Sequence, residues 1–417
     1  MKPAGGRRPS ILFISALDFK ERSIQVIRKT PEAFRDGGWE VTYLAARETS
    51  KAGDYFYERV FDPPGIRIAR FRWPLAKLQD KTRNKAAGII ISKLRSYLTV
   101  AALAARAGAL TLGRRFDVIY GYEAHGYLAA SLLRFLGLAG GAKVVARFQG
   151  FKEKRGLMAL FNWEMFLALM LPAHLCIITD DGTRGDRVLK SLRSPNLGRL
   201  RFWVNGVDLL PSPPPGELEE MRHDLGCPPG RFLAVSISRL VSWKRVDRGI
   251  RVIDRLVNCL GRKDVRYCII GGGSEMARLS ELVERLGLGH YVRMTGPVEH
   301  GQAVRYLQAA DAFISTYDLS NVGNPLLEAI RSHKMIFTLD NGDTGRWIEH
   351  GVNGFIYPPD DGSIEAMARD LDRLISDHRL RRKVTRELRG TERLRLWTWG
   401  RRLSAELREV GWLAGGR

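Results

Sequence analysis

Apolar runs of strand length alternate with longer stretches of helical periodicity along almost the whole chain. In the first half, the runs at Ile11–Ser15, Val41–Ala45, Val118–Tyr120, Lys143–Arg147, Leu175–Thr179 and Phe202–Val204 predict strands. The spacing between them predicts helices over Ser23–Asp36, Lys85–Ala109, Tyr127–Leu136, Leu157–Leu171 and Thr183–Leu192. The second half repeats the rhythm, with strands at Phe232–Ser236, Tyr267–Ile270, Val292–Thr295, Ala312–Ser315, Met335–Thr338 and Gly354–Tyr357. Helices follow over Val246–Leu260, Glu275–Leu286, Gln302–Ala309, Leu326–Arg331 and Ile364–Ile375. Strands that are apolar throughout and alternate with helices mean parallel sheets covered on both faces.

A chain of 417 residues exceeds one ordinary core, so two domains are expected. The segment Asn205-Gly206-Val207-Asp208 ends a strand, and a stiff proline-rich stretch from Pro211 to Pro215 follows it. The expected fold class is therefore α/β, with two doubly wound Rossmann-like domains over 1–209 and 210–390 facing each other across a cleft. Residues 391–417 are expected to form a last helix, near Leu394 to Trp412, that packs back at the domain junction through Trp397, Trp399 and Trp412.

Composition narrows the class. The 45% hydrophobic content is that of a globular protein. No run of about eighteen uninterrupted apolar residues occurs. The longest candidate, Met165 to Ile178, is broken by Pro172 and His174 and reads as a buried helix and strand. The start is basic, but the apolar stretch Ile11 to Ile14 is too short for the core of a signal peptide, which favours an intracellular protein. Cys176, Cys227, Cys259 and Cys268 lack metal-site or disulfide-framework spacing and read as buried thiols in apolar contexts.

The net charge of +22 is uneven. From Ile66 to Arg115 there are twelve Lys/Arg and one acid, Asp80, with Phe71, Trp73 and Tyr97 interspersed. Such a segment suits an anionic membrane surface, a nucleic acid or a solvated face. No nucleic-acid-reading motif accompanies the charge, so no nucleic-acid partner is expected. A second basic region, Arg379 to Arg408, contains enough Glu to read as an exposed helix.

The candidate chemistry lies on successive strand-to-helix loops of the second half. Arg239 and Lys244 follow the strand at Phe232–Ser236, and two long cations there can reach a diphosphate. Gly271-Gly272-Gly273 allows close backbone approach to a ligand, or makes a tight turn. Thr295-Gly296-Pro297-Val298 closes a strand where backbone atoms can line a base pocket. The stretch Ser320-Asn321-Val322-Gly323-Asn324-Pro325-Leu326 precedes a helix with proline at its start, and its first amides form an anion site. Glu328 lies about one turn further in, where it can accept hydrogen bonds from a sugar hydroxyl. Together these suit a nucleotide diphosphate. Asp180-Asp181 and Asp360-Asp361 sit beside glycines and read as turn residues rather than metal ligands.

From Arg231 to Asp360 the chain resembles the retaining glycosyltransferases of the two-Rossmann-domain (GT-B) kind, in the large group called family four. The resemblance rests on Ser-Arg-Leu with Lys244, Gly-Gly-Gly-Ser, Thr-Gly-Pro-Val, the helix at Glu328 and Gly351-Val352-Asn353-Gly354-Phe355. It implies an N-terminal acceptor-binding domain and a C-terminal nucleotide-sugar domain. Arg239 and Lys244 would neutralise a UDP- or GDP-linked donor, and Glu328 would bind its ribose. Gly272, Val298, Ser320, Asn321, Gly323, Asn324, Pro325 and Leu326 would complete the donor site. Ser320 stands where the family carries the first of two acids, Gln149 where a His is frequent, and Ala16-Leu17-Asp18-Phe19-Lys20 where the loop is usually glycine-rich. Glu123 and His125 lie near the position of a family His and are the candidates for orienting the acceptor or donor sugar.

The expectation is a metal-independent transferase without cofactor, working on a lipid-linked or oligosaccharide acceptor in bacterial surface-glycan synthesis. It would be cytoplasmic and peripheral on the inner face of the membrane. An epimerase- or phosphorylase-like relative and an inactive binding homologue remain open alternatives.

Overall fold

The computed structural model describes residues 7–19, 25–47, 62–72, 85–151, 163–208, 211, 213–360 and 362–415. Lys20, Trp73, Lys77, Asp80, Lys81, Arg83 and Asp361 lie outside the described residues, as do the first turns of the helix expected from Leu157.

Two all-parallel sheets share no strand. The first contains β1 (Ser10–Ser15), β2 (Glu40–Arg47), β3 (Ile66–Arg72), β4 (Val118–Tyr122), β5 (Lys143–Phe148), β6 (Leu175–Thr179) and β7 (Leu200–Trp203), in the order β3-β2-β1-β4-β5-β6-β7. The second contains β8 (Phe232–Ile237), β9 (Val265–Ile270), β10 (Val292–Gly296), β11 (Ala312–Ser315), β12 (Met335–Leu339) and β13 (Phe355–Tyr357), in the order β10-β9-β8-β11-β12-β13. β1, β4, β11 and β12 are buried at every position, as strands covered on both faces must be. Both sheets reverse winding direction at their centre, between β1 and β4 and between β8 and β11. In a doubly wound sheet the crevice at such a reversal is where ligands bind.

β3 corrects the reading of Ile66 to Arg115 as one basic amphipathic segment. It pairs in register with β2 from Val41↔Ile66 to Arg47↔Arg72, and puts apolar side chains on both faces, Ile66 and Ile68 in one core and Ala69 and Phe71 against the other. Part of the basic excess is also internal. Arg70 reaches the buried Asp18 at 2.8 Å, Lys93 pairs with Glu164 at 2.5 Å, and Arg114 pairs with Glu40. These acids lie outside the basic segment, so counting charge along the segment overstated its excess.

The two helices at the C-terminus differ. His378–Arg395 lies with the second domain, whereas Trp399–Gly415 returns to the first sheet, where Trp399 and Val410 join the core of Phe13, Tyr43 and Tyr120. Trp412, expected to pack, is exposed. The return is fixed at the junction by Val207 N donating to Trp397 O (2.8 Å) and Trp399 N donating to Asp208 Oδ1 (3.0 Å).

A buried ionic group anchors this helix. Arg402 and Glu406, one turn apart, pair at 2.6 Å with side chains 2% and 1% exposed, and the Tyr120 hydroxyl donates to Glu406. Burial opposes the Glu406 charge, but the guanidiniums of Arg402 and Arg147 outweigh it and hold the carboxyl below its usual range. Removing this carboxylate leaves the buried Arg402 without its ion-pair partner. Glu406→Gln should therefore cost about 3–5 kcal/mol, whereas Glu409→Gln on the same helix should cost less than about 1 kcal/mol. The contrast follows from exposure, because Glu409 meets Arg201 at 2.9 Å with both side chains about a third exposed. Urea unfolding followed by tryptophan fluorescence measures both.

Candidate active site in the interdomain cleft

The second sheet contributes the loops after β8 and β11, adjacent strands on either side of its reversal point. After β8 the chain makes a single 3-10 turn, Ser242–Lys244, and enters the helix Val246–Asp254 through Arg245 in a left-handed conformation (φ 44°). Arg239 is exposed on this loop. The Lys244 ammonium lies 3.4 Å from the centre of the Tyr317 ring and 4.2 Å from that of Trp243. Burial, with the neighbouring Arg239 charge, pushes its pKa down to about 7.

The glycines after β9 shape this loop. Leu240 N donates to Gly272 O, and Glu275 N donates to Leu240 O, each at 2.9 Å. A side chain on Gly271 would meet Ser238 O at 1.9 Å, and one on Gly273 would meet Leu240 O at 2.3 Å. The close approach these glycines permit is to the backbone beside Arg239. Val298 is half-buried against the core beneath the neighbouring loop.

After β11, the loop is closed by Asn321. Its Oδ1 accepts from Tyr317 N (3.0 Å), and its Nδ2 donates to Leu339 O (3.1 Å). Asn321 is thus a loop staple, 1% exposed, and its expected donor contact is corrected. Ser320 is corrected likewise, because its hydroxyl donates to the main-chain oxygen of Asp181 in the other domain (2.8 Å). The helix Asn324–Arg331 begins at Gly323, in extended backbone, with proline in its first turn. Leu327 N is the first amide to close on the cap, bonding Gly323 O at 3.1 Å, so the amides of Asn324 and Leu326 remain for an anion. The Leu326 side chain is core. Asn324 Oδ1 accepts from Asn205 Nδ2 across the junction at 3.0 Å.

Glu328, one turn in, is 6% exposed and hydrogen-bonded to His300 at 2.7 Å. That bond raises the pKa of His300, whose ring is about half exposed. Sequence reasoning missed His300, although it stands only two residues beyond Val298.

The first sheet contributes three loops. The helix Glu123–Phe135 follows β4 directly, and the turn places Glu123 at φ 56°, a rare conformation for a residue with a side chain. Glu123 Oε1 accepts from Gln149 N at 2.8 Å, while Gln149 Nε2 donates to the Tyr122 hydroxyl at 2.6 Å. Burial pushes Glu123 up to about 7. His125 turns toward the long helix Lys85–Gly113, where its Nε2 lies 2.6 Å from Ser96 Oγ. The structure thus joins His125 to that helix rather than to the donor-side cations.

After β6, Asp181 accepts from Thr183 Oγ1 (2.6 Å) and Thr183 N (3.1 Å), as a turn residue does. Its carboxyl also lies in the cleft, where burial pushes it up to about 6. Asp360 keeps the turn role alone, accepting from Ser363 N at 3.1 Å. Among the described residues, no group of three or more His, Cys, Asp or Glu is arranged to hold a metal ion.

Known proteins resemble this arrangement at two levels. Residues 218–390 match the family model described as glycosyl transferases group 1. An exopolysaccharide phosphotransferase of Streptomyces coelicolor is 30% identical over 146 residues, covering 34% of this chain and 15% of that protein. The alpha-monoglucosyldiacylglycerol synthase of Acholeplasma laidlawii is 21% identical over 172 residues, covering 40% of this chain and 43% of the synthase. The chain thus spans less than half the length of these curated relatives. The crystal structure of Anabaena Alr3699/HepE in complex with UDP superposes with a TM-score of 0.71 at 16% identity, covering 97% of this chain and 99% of that one. Residues 218–390 thus resemble the glycosyl transferases group 1, and the chain as a whole has the two-Rossmann-domain GT-B fold.

Proposed function

We propose that the protein is a retaining glycosyltransferase that moves a sugar from a UDP- or GDP-linked donor to a lipid-linked or polysaccharide acceptor at an anionic membrane surface. The observation that carries this reading is the convergence of Arg239, Lys244 and the Asn324–Leu326 amides at the reversal point of the second sheet. Sugar transfer from such a donor builds negative charge on the departing diphosphate, and fixed cations with a helix N-terminus lower the barrier by meeting it. These groups supply the stabilisation without a metal, and transfer should persist in EDTA. Retention rests on the resemblance to family four. A ribose beside the phosphates would compete with His300 for Glu328.

The acceptor side supports a lipid surface. The helix Lys85–Gly113 contains a stretch, Ala87–Gly113, long and apolar enough to cross a membrane by length and composition. Its second half is anchored in the core through Leu103, Ala104 and Ala107, so its first half suits lying on a surface. There Ile89, Ile90 and Leu94 are about half exposed or more, next to Trp163 and Phe166 of the helix Trp163–Met170. Tyr97 and Trp163 join the two helices, with ring centres 5.3 Å apart. The chain's net charge of +22 favours an anionic bilayer over a neutral one. Ile90→Asp/Leu94→Asp should reduce co-sedimentation with phosphatidylglycerol vesicles about tenfold or more while leaving UDP or GDP binding intact.

Lys244 generates a pH test. A bound diphosphate raises the pKa of an ammonium that stands at about 7 in the free protein, so binding takes up a proton. Affinity is then fully present below pH 7 and is lost as pH rises toward the bound-state value. The Kd for UDP or GDP should weaken about tenfold between pH 7 and 8.5, and Lys244→Arg should flatten the profile because its guanidinium stays charged. Calorimetric titration across that range measures both. Glu328→Ala should abolish most of the thermal shift that UDP or GDP produces, and an unchanged shift would remove the ribose assignment.

A further inference from the structure

The loop after β11 carries serine at the position nearest the other domain, and that serine's hydroxyl is occupied. Ser320 Oγ donates to Asp181 O (2.8 Å), and Asp343 N donates to Gly182 O (3.0 Å). The contact requires glycine at 182, because a side chain there would lie 2.2 Å from Ser320 Oγ. The acceptor-domain loop Asp180–Arg184 thus sits directly against the donor loop, and the Asp181 side chain enters the cleft from there. Its charge acts on both domains, stabilising the Lys244 ammonium and opposing ionisation of Glu123. Among the described residues Asp181 has one side-chain partner, Thr183, through Oδ1. Its Oδ2 lies over Gly150, where a side chain would approach to 1.9 Å. Glu123 is tied to the same loop through Gln149 N. The sequence therefore keeps residue 150 without a side chain beside the Asp181 carboxylate.

We propose that Asp181, backed by Glu123, is the carboxylate that binds the hydroxyls of the transferred sugar, and that this restricts the donor to neutral sugars. The assignment rests on the proposed transferase reading and goes beyond it by naming the specificity residue and the class of sugar. The diphosphate belongs beside Lys244, and the group attached to it extends toward the acceptor domain, where Asp181 and Glu123 stand. Carboxylates accept hydrogen bonds from a polyhydroxylated ring. The same two carboxylates repel a uronic acid, whose own carboxylate would enter a partly desolvated site of like charge.

The test compares Asp181→Asn and Glu123→Gln with the wild-type full chain by calorimetric binding of UDP, GDP, UDP-glucose, UDP-galactose, UDP-N-acetylglucosamine, GDP-mannose and UDP-glucuronate. Asparagine keeps the acceptor used by Thr183 and the size allowed by Gly150, and glutamine keeps the acceptor used by Gln149 N. Melting temperatures of the variants confirm their folding. Wild type should bind at least one neutral sugar nucleotide more tightly than UDP-glucuronate. Asp181→Asn should leave the nucleoside diphosphate within about twofold and weaken the preferred neutral sugar nucleotide about tenfold or more, a difference of about 1.4 kcal/mol. It should also narrow the discrimination against UDP-glucuronate. Equal losses for diphosphate and sugar nucleotide, no loss for either, or wild-type preference for UDP-glucuronate would overturn the assignment. Failure of wild type to bind any of the seven would instead overturn the transferase reading beneath it.

Discussion

A lysine ammonium held against two aromatic rings and next to an arginine is the arrangement on which the rest of the cleft depends. Without an anion, Lys244 is poorly solvated and repelled by Arg239, which is why its proton is held weakly. In the proposed site a diphosphate would reverse both effects, and part of its binding free energy would come from relieving a charge that the fold already confines. The surrounding architecture serves this confinement. Tyr317 is held over Lys244 by the Asn321 staple, Trp243 O accepts from Asp318 N at 3.0 Å, and the glycines after β9 press their backbone against the cation loop.

Most of the strands and the twofold domain plan were legible because buried parallel strands leave continuous apolar runs, as at Ile11–Ser15 and Ala312–Ser315. β3 was hidden because arginines interrupt the apolar positions of both its faces and were read as part of a charge run. The helix Glu123–Phe135 starts four residues earlier than the periodicity from Tyr127 suggests, since Glu123 enters it through a left-handed turn that no apolar pattern encodes. In the site, the position of Glu328 on its helix was readable from the Gly-Asn-Pro start. Its partner His300 was not, because the pair spans 28 residues, with the helix His300–Ala309 and the strand β11 between them. Asp181 was discounted on local grounds that are correct as far as they go. Its turn bond to Thr183 is real, and only the meeting of the two domains puts its carboxyl into the cleft.

The two halves meet through contacts of short reach. Ser320 with Asp181, Asn324 with Asn205, and Arg184 with Asp343 (2.9 Å) all cross between the domains, at the loops after β11 and β12. A longer acid at position 320 could not occupy the place of the serine hydroxyl, 2.8 Å from a carbonyl oxygen, because a carboxylate there would face that oxygen without a proton to donate. Serine supplies the donor, and the loop of the other domain comes in close enough to bring its own carboxylate. The serine hydroxyl and the approach of the Asp181 loop therefore belong to one contact.

That coupling also bears on the acceptor side. His125 is bonded to Ser96 on the helix whose first half exposes Ile89, Ile90 and Leu94, and only Ala124 separates it from Glu123. The backbone of Glu123 is already in a strained conformation and its side chain is fixed by Gln149 N. Ser96 and His125 thereby join the exposed helix to the turn that carries Glu123.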